Sequence, residues 1–305
     1  MTSTTSPPAL DALAVVESIA DLVRENYVFP DAARQLAALL RSRSAGGSYR
    51  TESAEELAEA VTTDLRSVNG DLHLALKYHD VPVPPEQGAA VLAAMRREFD
   101  ASLGGVPRVE LLDGGVAVLE IAPKMFPLDW AAQPLAAALS LVAPARALIL
   151  DLRRNTGGDP DTVAFVCGYL LDGRTHLNTM LWRQGEVANQ SWTPPFVPGA
   201  RFGADKPLYV LTSANTFSAG EELAYDLQQL GRAEVVGGAT RGGAHPRDGW
   251  TVHPHLELSV PIARAVNPVS GTNWEGTGVQ PDVPCDAETA LDRAQALAVA
   301  RLARG

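Results

Sequence analysis

Cysteine is scarce in this chain of 305 residues: Cys167 and Cys285 are the only two, and they lie far apart. That spacing matches no thiolate metal site and gives no disulfide-stapled scaffold, so neither a metal nor another cofactor is expected. Basic charge is also short, with 25 Lys and Arg against 36 Asp and Glu, a net of −11. A phosphate backbone or an anionic membrane surface would repel such a chain at long range, which argues against nucleic-acid and membrane partners. No apolar run reaches the ~18 residues that a membrane span needs. Residues 1–8 have no basic n-region and no apolar h-region, so no secretory signal is read there and a cytoplasmic location is expected. What remains is ordinary globular material, 46% hydrophobic and 20% charged, over a length that suits two modest domains or one large one.

The first hundred residues carry helical periodicity. Leu13, Val16, Ile19, Val23 and Tyr27 repeat at spacings of three and four, which makes one apolar helical face. Pro30 is expected to stop that helix and Asp31 to cap the next, which carries Leu36, Leu39 and Leu40. Ser53 and Glu56 have the spacing of a capping box ahead of Leu57, Val61 and Leu65. A further helix is expected over 87–100. These readings define an N-terminal helical bundle over residues 1–103.

From about Val109 the pattern changes. Short β-branched runs at 116–121, 147–152, 208–211 and 234–236 alternate with helical stretches at 131–142, 160–171 and 218–230. Such alternation predicts an α/β core, 104–305, built on a mostly parallel sheet. Residues 177–204, rich in Trp, Pro and Asn, read as a hairpin or flap. Residues 255–262 alternate like an edge or exposed strand, and a last helix is expected over 287–302.

Three segments can carry chemistry. Ala147-Leu-Ile-Leu-Asp-Leu-Arg-Arg-Asn-Thr-Gly-Gly158 reads as a buried strand running into a glycine turn and a helix. The N–H groups of Gly157 and Gly158 can approach a ligand there and suit an oxyanion hole; an ordinary tight turn reads the same way. In Leu211-Thr-Ser-Ala-Asn-Thr-Phe-Ser-Ala-Gly-Glu-Glu222, a strand ends and Ser218 opens a helix whose dipole favours developing negative charge. Ser218 to Glu221 also has the spacing of a capping box, and a capping serine needs no reactivity. The loop Asn273-Trp-Glu-Gly-Thr-Gly-Val-Gln-Pro-Asp282 holds Trp274 and Glu275.

Histidines supply the possible bases for a serine. His73 follows Gly70-Asp-Leu in the helical part, and His245 lies in Thr240-Arg-Gly-Gly-Ala-His-Pro. His253 and His255 share a face of an extended segment, which alone does not make a metal site.

Taken together, the motifs Leu150-Asp-Leu-Arg-Arg-Asn-Thr-Gly-Gly158, Thr216-Phe-Ser-Ala-Gly-Glu221, Val236-Gly-Gly-Ala-Thr-Arg-Gly-Gly-Ala-His245 and Trp274-Glu-Gly-Thr-Gly-Val-Gln-Pro-Asp282 resemble the tail-specific, or C-terminal processing, serine peptidase family. The resemblance implies a crotonase-like (ClpP-like) core behind the helical bundle. It also implies Ser218 as nucleophile and the Ala219 N–H as an oxyanion donor. Members of the usual kind pair their serine with a lysine 25 residues downstream, and that count reaches Gly243 here. The only lysines are Lys77, Lys124 and Lys206, so none follows the serine. The stretch between His73 and the first core strand is too short for the family's PDZ domain, so none is expected.

Two branches of the family lack the lysine. The tricorn core protease uses a histidine from its helical part and a late glutamate, and His73 and Glu275 fall at matching places. Its serine before the histidine is replaced here by Leu72. The interphotoreceptor retinoid-binding protein modules and their bacterial relatives are resembled most closely, through Gly242-Gly-Ala-His-Pro246 and Asn267-Pro-Val-Ser-Gly-Thr-Asn-Trp-Glu275.

Two classes of function follow. As a serine hydrolase acting on a peptide, Ser218 attacks a carbonyl, His73 or His245 takes its proton, and Glu275 orients base or substrate. Gly157 or Gly158 and Ala219 then hold the oxyanion. As a repurposed protein of the same fold, the chain binds a hydrophobic small molecule or performs cyclase or lyase chemistry. Trp182, Trp192 and Phe196 are then expected as walls of the substrate pocket, with Trp274 beside it. Oligomeric state is left open by the sequence.

Overall fold

Helices come first because the apolar spacings demand them, and strands follow where β-branched runs replace those spacings. In the computed structural model, which describes residues 10–83, 87–183 and 186–304, the chain begins α1 (Ala12–Asn26), α2 (Pro30–Ala45), α3 (Ala54–Arg66), β1 (Ala75–Tyr78) and α4 (Gln87–Ala101). It continues β2 (Arg108–Leu112), β3 (Val116–Glu120), α5 (Leu128–Val142), β4 (Ala147–Asp151), α6 (Pro160–Leu170), β5 (His176–Trp182) and β6 (Val187–Trp192). The remainder is β7 (Leu208–Thr212), α7 (Ala219–Gln229), β8 (Glu234–Gly237), β9 (Arg247–His253), β10 (Leu256–Pro261), β11 (Ala263–Val266), β12 (Val283–Pro284) and α8 (Ala290–Leu302). Among the described residues, no helix is long and apolar enough to cross a membrane.

The chain divides into two units. The first comprises residues 1–93, 181–188 and 245–264, and the second comprises 94–180, 189–244 and 265–305. In the first, Val16, Ile19, Val23 and Tyr27 of the α1 stripe meet Leu36 and Leu40 of α2 and Leu57, Val61 and Leu65 of α3. Leu13, expected in that stripe, is exposed, because Val15 and Ala20 carry the buried face instead. Pro30 does not stop α1, which has already ended at Asn26; it opens α2 at the first helical position, where a missing N–H costs nothing. Asp31 accordingly lies in the first turn of α2, and Phe29 is the N-cap residue. Ser53 caps α3 as expected, accepting from the Glu56 N–H at 3.3 Å.

Helices are not the whole of this unit. β1, β10 and β9 form an antiparallel sheet in that order, and Leu76, Leu256, Leu258 and Val260 point into the helical core. The 255–262 segment, expected as an edge or exposed strand, is the middle strand. Alternation reports one buried face and says nothing about how many neighbours a strand has.

The second unit holds a six-stranded mixed sheet of order β12-β8-β7-β4-β3-β2. All pairings are parallel except β2 with β3. Period-two alternation splits each central strand between two cores. Ala117, Leu119, Leu148, Leu150, Leu208 and Val210 face the larger one, beside residues of α5, α6 and α7. Val116, Val118, Ala147, Ile149, Tyr209 and Leu211 face the other, against Ala290, Ala294 and Ala298 of α8. Burial on both faces explains why β3, β4 and β7 read as unbroken apolar runs. The stretch expected as a hairpin contains β5 and β6, which join β11 in a sheet of order β11-β5-β6.

Candidate active site

Two neighbouring parallel strands, β4 and β7, end side by side, and each is followed by a short turn and a helix. Ligands of parallel α/β sheets gather at such carboxyl ends. The turns are sewn together by short polar side chains. Thr216 donates its hydroxyl to the Leu152 carbonyl at 2.9 Å, and Ser213 donates to the Arg153 carbonyl at 2.7 Å. Buried Asn155 donates to the Ile121 carbonyl and accepts the Gly157 N–H at 2.9 Å, while its own carbonyl accepts the Phe217 N–H.

Ser218 stands at the apex. Among the described residues it is one of two non-glycine residues with positive φ, at φ 52° and ψ −121°. A capping serine rests in the β region, so the cap reading does not account for this backbone. A non-glycine residue held there stores ~1–3 kcal/mol, strain of the kind found at functional sites. A strand-to-helix elbow bearing a serine presents its hydroxyl outward above the sheet. The Glu221 half of the capping box is nevertheless made, with the Ser218 N–H donating to Glu221 Oε2 at 2.8 Å.

Glu221 is fully buried and does more than cap. Its Oε1 accepts the Thr240 hydroxyl at 2.5 Å and the Gly242 N–H at 2.6 Å, and its Oε2 also accepts the Gly243 N–H at 2.9 Å. Burial pushes this carboxyl above the usual range, and the four donors pull it back. One carboxylate therefore ties the serine elbow to the 240–243 turn.

The glycine turn faces the elbow. A Cβ on Gly157 would lie 2.6 Å from the Ser218 Cβ and 2.9 Å from the Phe217 carbonyl oxygen, and φ there is 97°. Only glycine fits. The Gly157 N–H, expected as an oxyanion donor, is already given to Asn155 Oδ1. Among the described residues, the N–H groups of Gly158 and Ala219 donate to no protein acceptor. These two have the chemistry of an oxyanion hole.

Glu275, half-buried, accepts the Ala244 N–H on Oε2 at 2.5 Å, so it fixes the backbone immediately before His245. Trp274, expected beside a substrate, belongs to the core instead. It is 2% exposed, donates its indole N–H to the Gly243 carbonyl at 2.9 Å and packs on Tyr225. Trp192 stacks on His176 at 4.5 Å, with the Arg174 guanidinium 4.7 Å from its ring centre. Trp182 and Phe196 are exposed.

The first unit holds His73 and His245, the candidate bases. His73 lies in the turn between α3 and β1, not on a helix, and burial drives its pKa down to about 4. It is thus neutral at pH 7. His245 is buried, with Phe29 edge-on at 5.3 Å. Its Nδ1 meets Asp71 Oδ2 at 2.8 Å. Asp71 is itself buried and also accepts the Tyr27 hydroxyl and the His73 N–H. Burial works to raise the Asp71 pKa, but His245, Tyr27 and the His73 N–H together hold it below the usual carboxylate range. An ionised Asp71 only accepts, so Nδ1 of His245 carries the proton and Nε2 is the basic nitrogen. Sequence reasoning passed over Asp71, although it stands two residues before His73. Of the lysines, Lys124 pairs with Glu98 at 2.6 Å, and Lys206 donates to the Ala143 and Ala145 carbonyls.

A family model for peptidase family S41 matches residues 123–285. A second, for the N-terminal domain of that peptidase in eukaryotic IRBP, matches residues 11–102. Carboxyl-terminal-processing peptidase 3, chloroplastic, of Arabidopsis thaliana is 31% identical over 137 residues, which are 45% of this chain and 25% of that protein. The photosystem II D1 C-terminal processing protease superposes with a TM-score of 0.55 at 17% identity, covering 95% of this chain and 98% of that one. The tricorn protease gives a TM-score of 0.61 at 14% identity, over 96% of this chain and 37% of its own. At these identities the two structures speak to the fold.

Proposed function

Since the chain belongs to peptidase family S41, we propose that it is a serine hydrolase of peptides with Ser218 as nucleophile. The observation that carries this reading is the positive-φ elbow of Ser218 between β7 and α7. The N–H groups of Gly158 and Ala219 receive the oxyanion as the carbonyl carbon becomes tetrahedral.

A serine hydroxyl needs a base, and no lysine follows Ser218 in the sequence. The residues with the required chemistry are His73 and His245. Of these, His245 has the orienting carboxylate that a serine hydrolase gives its base, in Asp71. His245 takes the hydroxyl proton on Nε2 and returns it to the leaving amine, while Asp71 stabilises the imidazolium in between. Glu275 serves by holding the Ala244 backbone. In this reading the core is of the crotonase-like kind, and side chains around the serine take part in selecting the substrate.

Fluorophosphonate labelling tests the reading. Wild type is expected to label at one serine, Ser218→Ala to lose the label, and His245→Ala and Asp71→Asn to label at least 100-fold more slowly. A wild-type chain that resists labelling and cleaves no member of a peptide pool would mark a repurposed binding or lyase protein instead. Unchanged rates in His245→Ala together with loss in His73→Ala would transfer the base role to His73.

A further inference from the structure

We infer that Arg241 is a specificity residue that pairs with a carboxylate on the substrate close to the bond that Ser218 attacks; this rests on the peptidase reading above.

The backbone of Arg241 is fixed with respect to the nucleophile. Its neighbours Thr240 and Gly242 both donate to Glu221, the carboxylate that also accepts the Ser218 N–H. Its own N–H donates to the Thr216 carbonyl at 3.1 Å, two residues before the serine. The side chain is exposed, and its guanidinium carbon lies 4.7 Å from the ring centre of Phe217, the residue preceding Ser218. Stacking on an aromatic face holds a guanidinium in place and leaves the N–H edges of its fork free for a planar acceptor.

Other arginines around the same strand ends are already neutralised. Arg153 pairs with Asp151 at 2.5 Å, and Arg154 pairs with Glu120 at 2.7 Å. Among the described residues, Arg241 makes no ion pair. The chain as a whole carries −11 and repels acidic substrates at long range. A fixed cation beside the nucleophile therefore selects a carboxylate locally, by a charge-assisted fork.

Reach limits where that carboxylate sits. With Cα atoms ~3.8 Å apart, the guanidinium lies within roughly 12 Å of the Ser218 backbone. An extended chain advances ~3.3–3.6 Å per residue, so the carboxylate belongs within about three residues of the scissile bond. Two sources offer it there: an Asp or Glu side chain, or the α-carboxylate of a short leaving peptide.

The test uses the full chain and two pools of randomised octapeptides, one with free C-termini and one amidated, with cleavage read by mass spectrometry. Wild type is expected to favour carboxylate-bearing peptides by about 10–100-fold, the range for a hydrogen bond to a charged group. Loss of the preference in the amidated pool assigns it to the α-carboxylate; retention, with Asp or Glu enriched near the cleaved bond, assigns it to a side chain. Arg241→Gln should bring the ratio to about 1, Arg241→Lys should keep part of it, and Arg241→Glu should turn it toward Lys and Arg. The immobilised Ser218→Ala chain, washed with the same pools, reads the preference without turnover, so failure of the peptidase reading is scored separately. Equal retention of carboxylate and neutral peptides, or a preference that Arg241→Gln does not move, overturns the proposal.

Discussion

Replacing Glu221 by glutamine changes one atom at the point where elbow and turn are tied together. The carboxylate accepts four hydrogen bonds, two on each oxygen, from Ser218, Thr240, Gly242 and Gly243. An amide keeps one accepting oxygen and turns an NH2 group toward the other pair of donors. Two buried donors then lose their acceptor, at ~1–3 kcal/mol each. Removing a buried charge returns part of that, because burial had already pushed the carboxyl upward. The net expectation is a loss of about 2–3 kcal/mol. A domain of 150–250 residues loses ~2–4 °C in Tm per kcal/mol, so melting should fall by about 4–12 °C. Glu221→Ala strands all four donors and should cost at least twice as much, close to the whole stability of an ordinary domain. Thermal melting of the three proteins by circular dichroism at pH 7 measures both steps. A glutamine variant melting within about 2 °C of wild type, or one as damaged as alanine, would refute the account of Glu221 as a four-donor tie.

Other outcomes follow from the same contacts. Ser218→Gly should abolish fluorophosphonate labelling yet leave stability unchanged or up to ~1 kcal/mol higher, because glycine accepts φ 52° without strain; a marked drop in Tm would show that the backbone is not strained there. His73 is held near 4 against 6.5 by burial, so its neutral form stabilises the fold above pH 6.5 and that stability drains away as pH falls toward 4, by about 3 kcal/mol. His73→Gln should flatten this part of the pH–Tm curve, and a slope that persists removes His73 as its source. Glu222, buried beside Asp226, is raised by burial and shares the buried Asn178 amide with Asp226, so its contribution has the opposite sign: intact below pH 4.5 and lost as pH rises. Glu222→Gln should therefore melt higher than wild type at pH 8 and about equally at pH 4.5; equal melting at both would exclude the buried charge as a destabilising element.

The α/β core was legible because β3, β4 and β7 are buried on both faces and so stand out as apolar runs between amphipathic helices. Ser218 was legible as a helix start, since Glu221 sits three residues on. The positive φ that separates nucleophile from cap was not, because it is imposed by contacts with Asn155 and Gly157 from a distant turn. Asp71 escaped notice for a related reason. Its partners Tyr27 and His245 lie 44 and 174 residues away, and no local pattern marks such a meeting. Trp274 misled in the other direction: a tryptophan in a glycine-rich loop was expected beside the substrate, yet its indole N–H is taken by the Gly243 carbonyl and its ring is buried. β9 and β10 gave no sign that they complete a sheet with β1, more than 160 residues earlier, since strand pairing at that range is written only in shape.

That distant return of the chain bears on how the protein is made. The first unit needs residues 245–264 to finish the sheet begun by β1. At a synthesis rate of ~5–20 residues per second, some ten to thirty seconds separate residue 93 from residue 264 on the ribosome. Throughout that interval Leu74 and Leu76 lack Leu256, Leu258 and Val260, the apolar partners that later cover them. The N-terminal helices must therefore wait, half-covered, for a strand not yet synthesised. A fragment cut after residue 103 would never receive it.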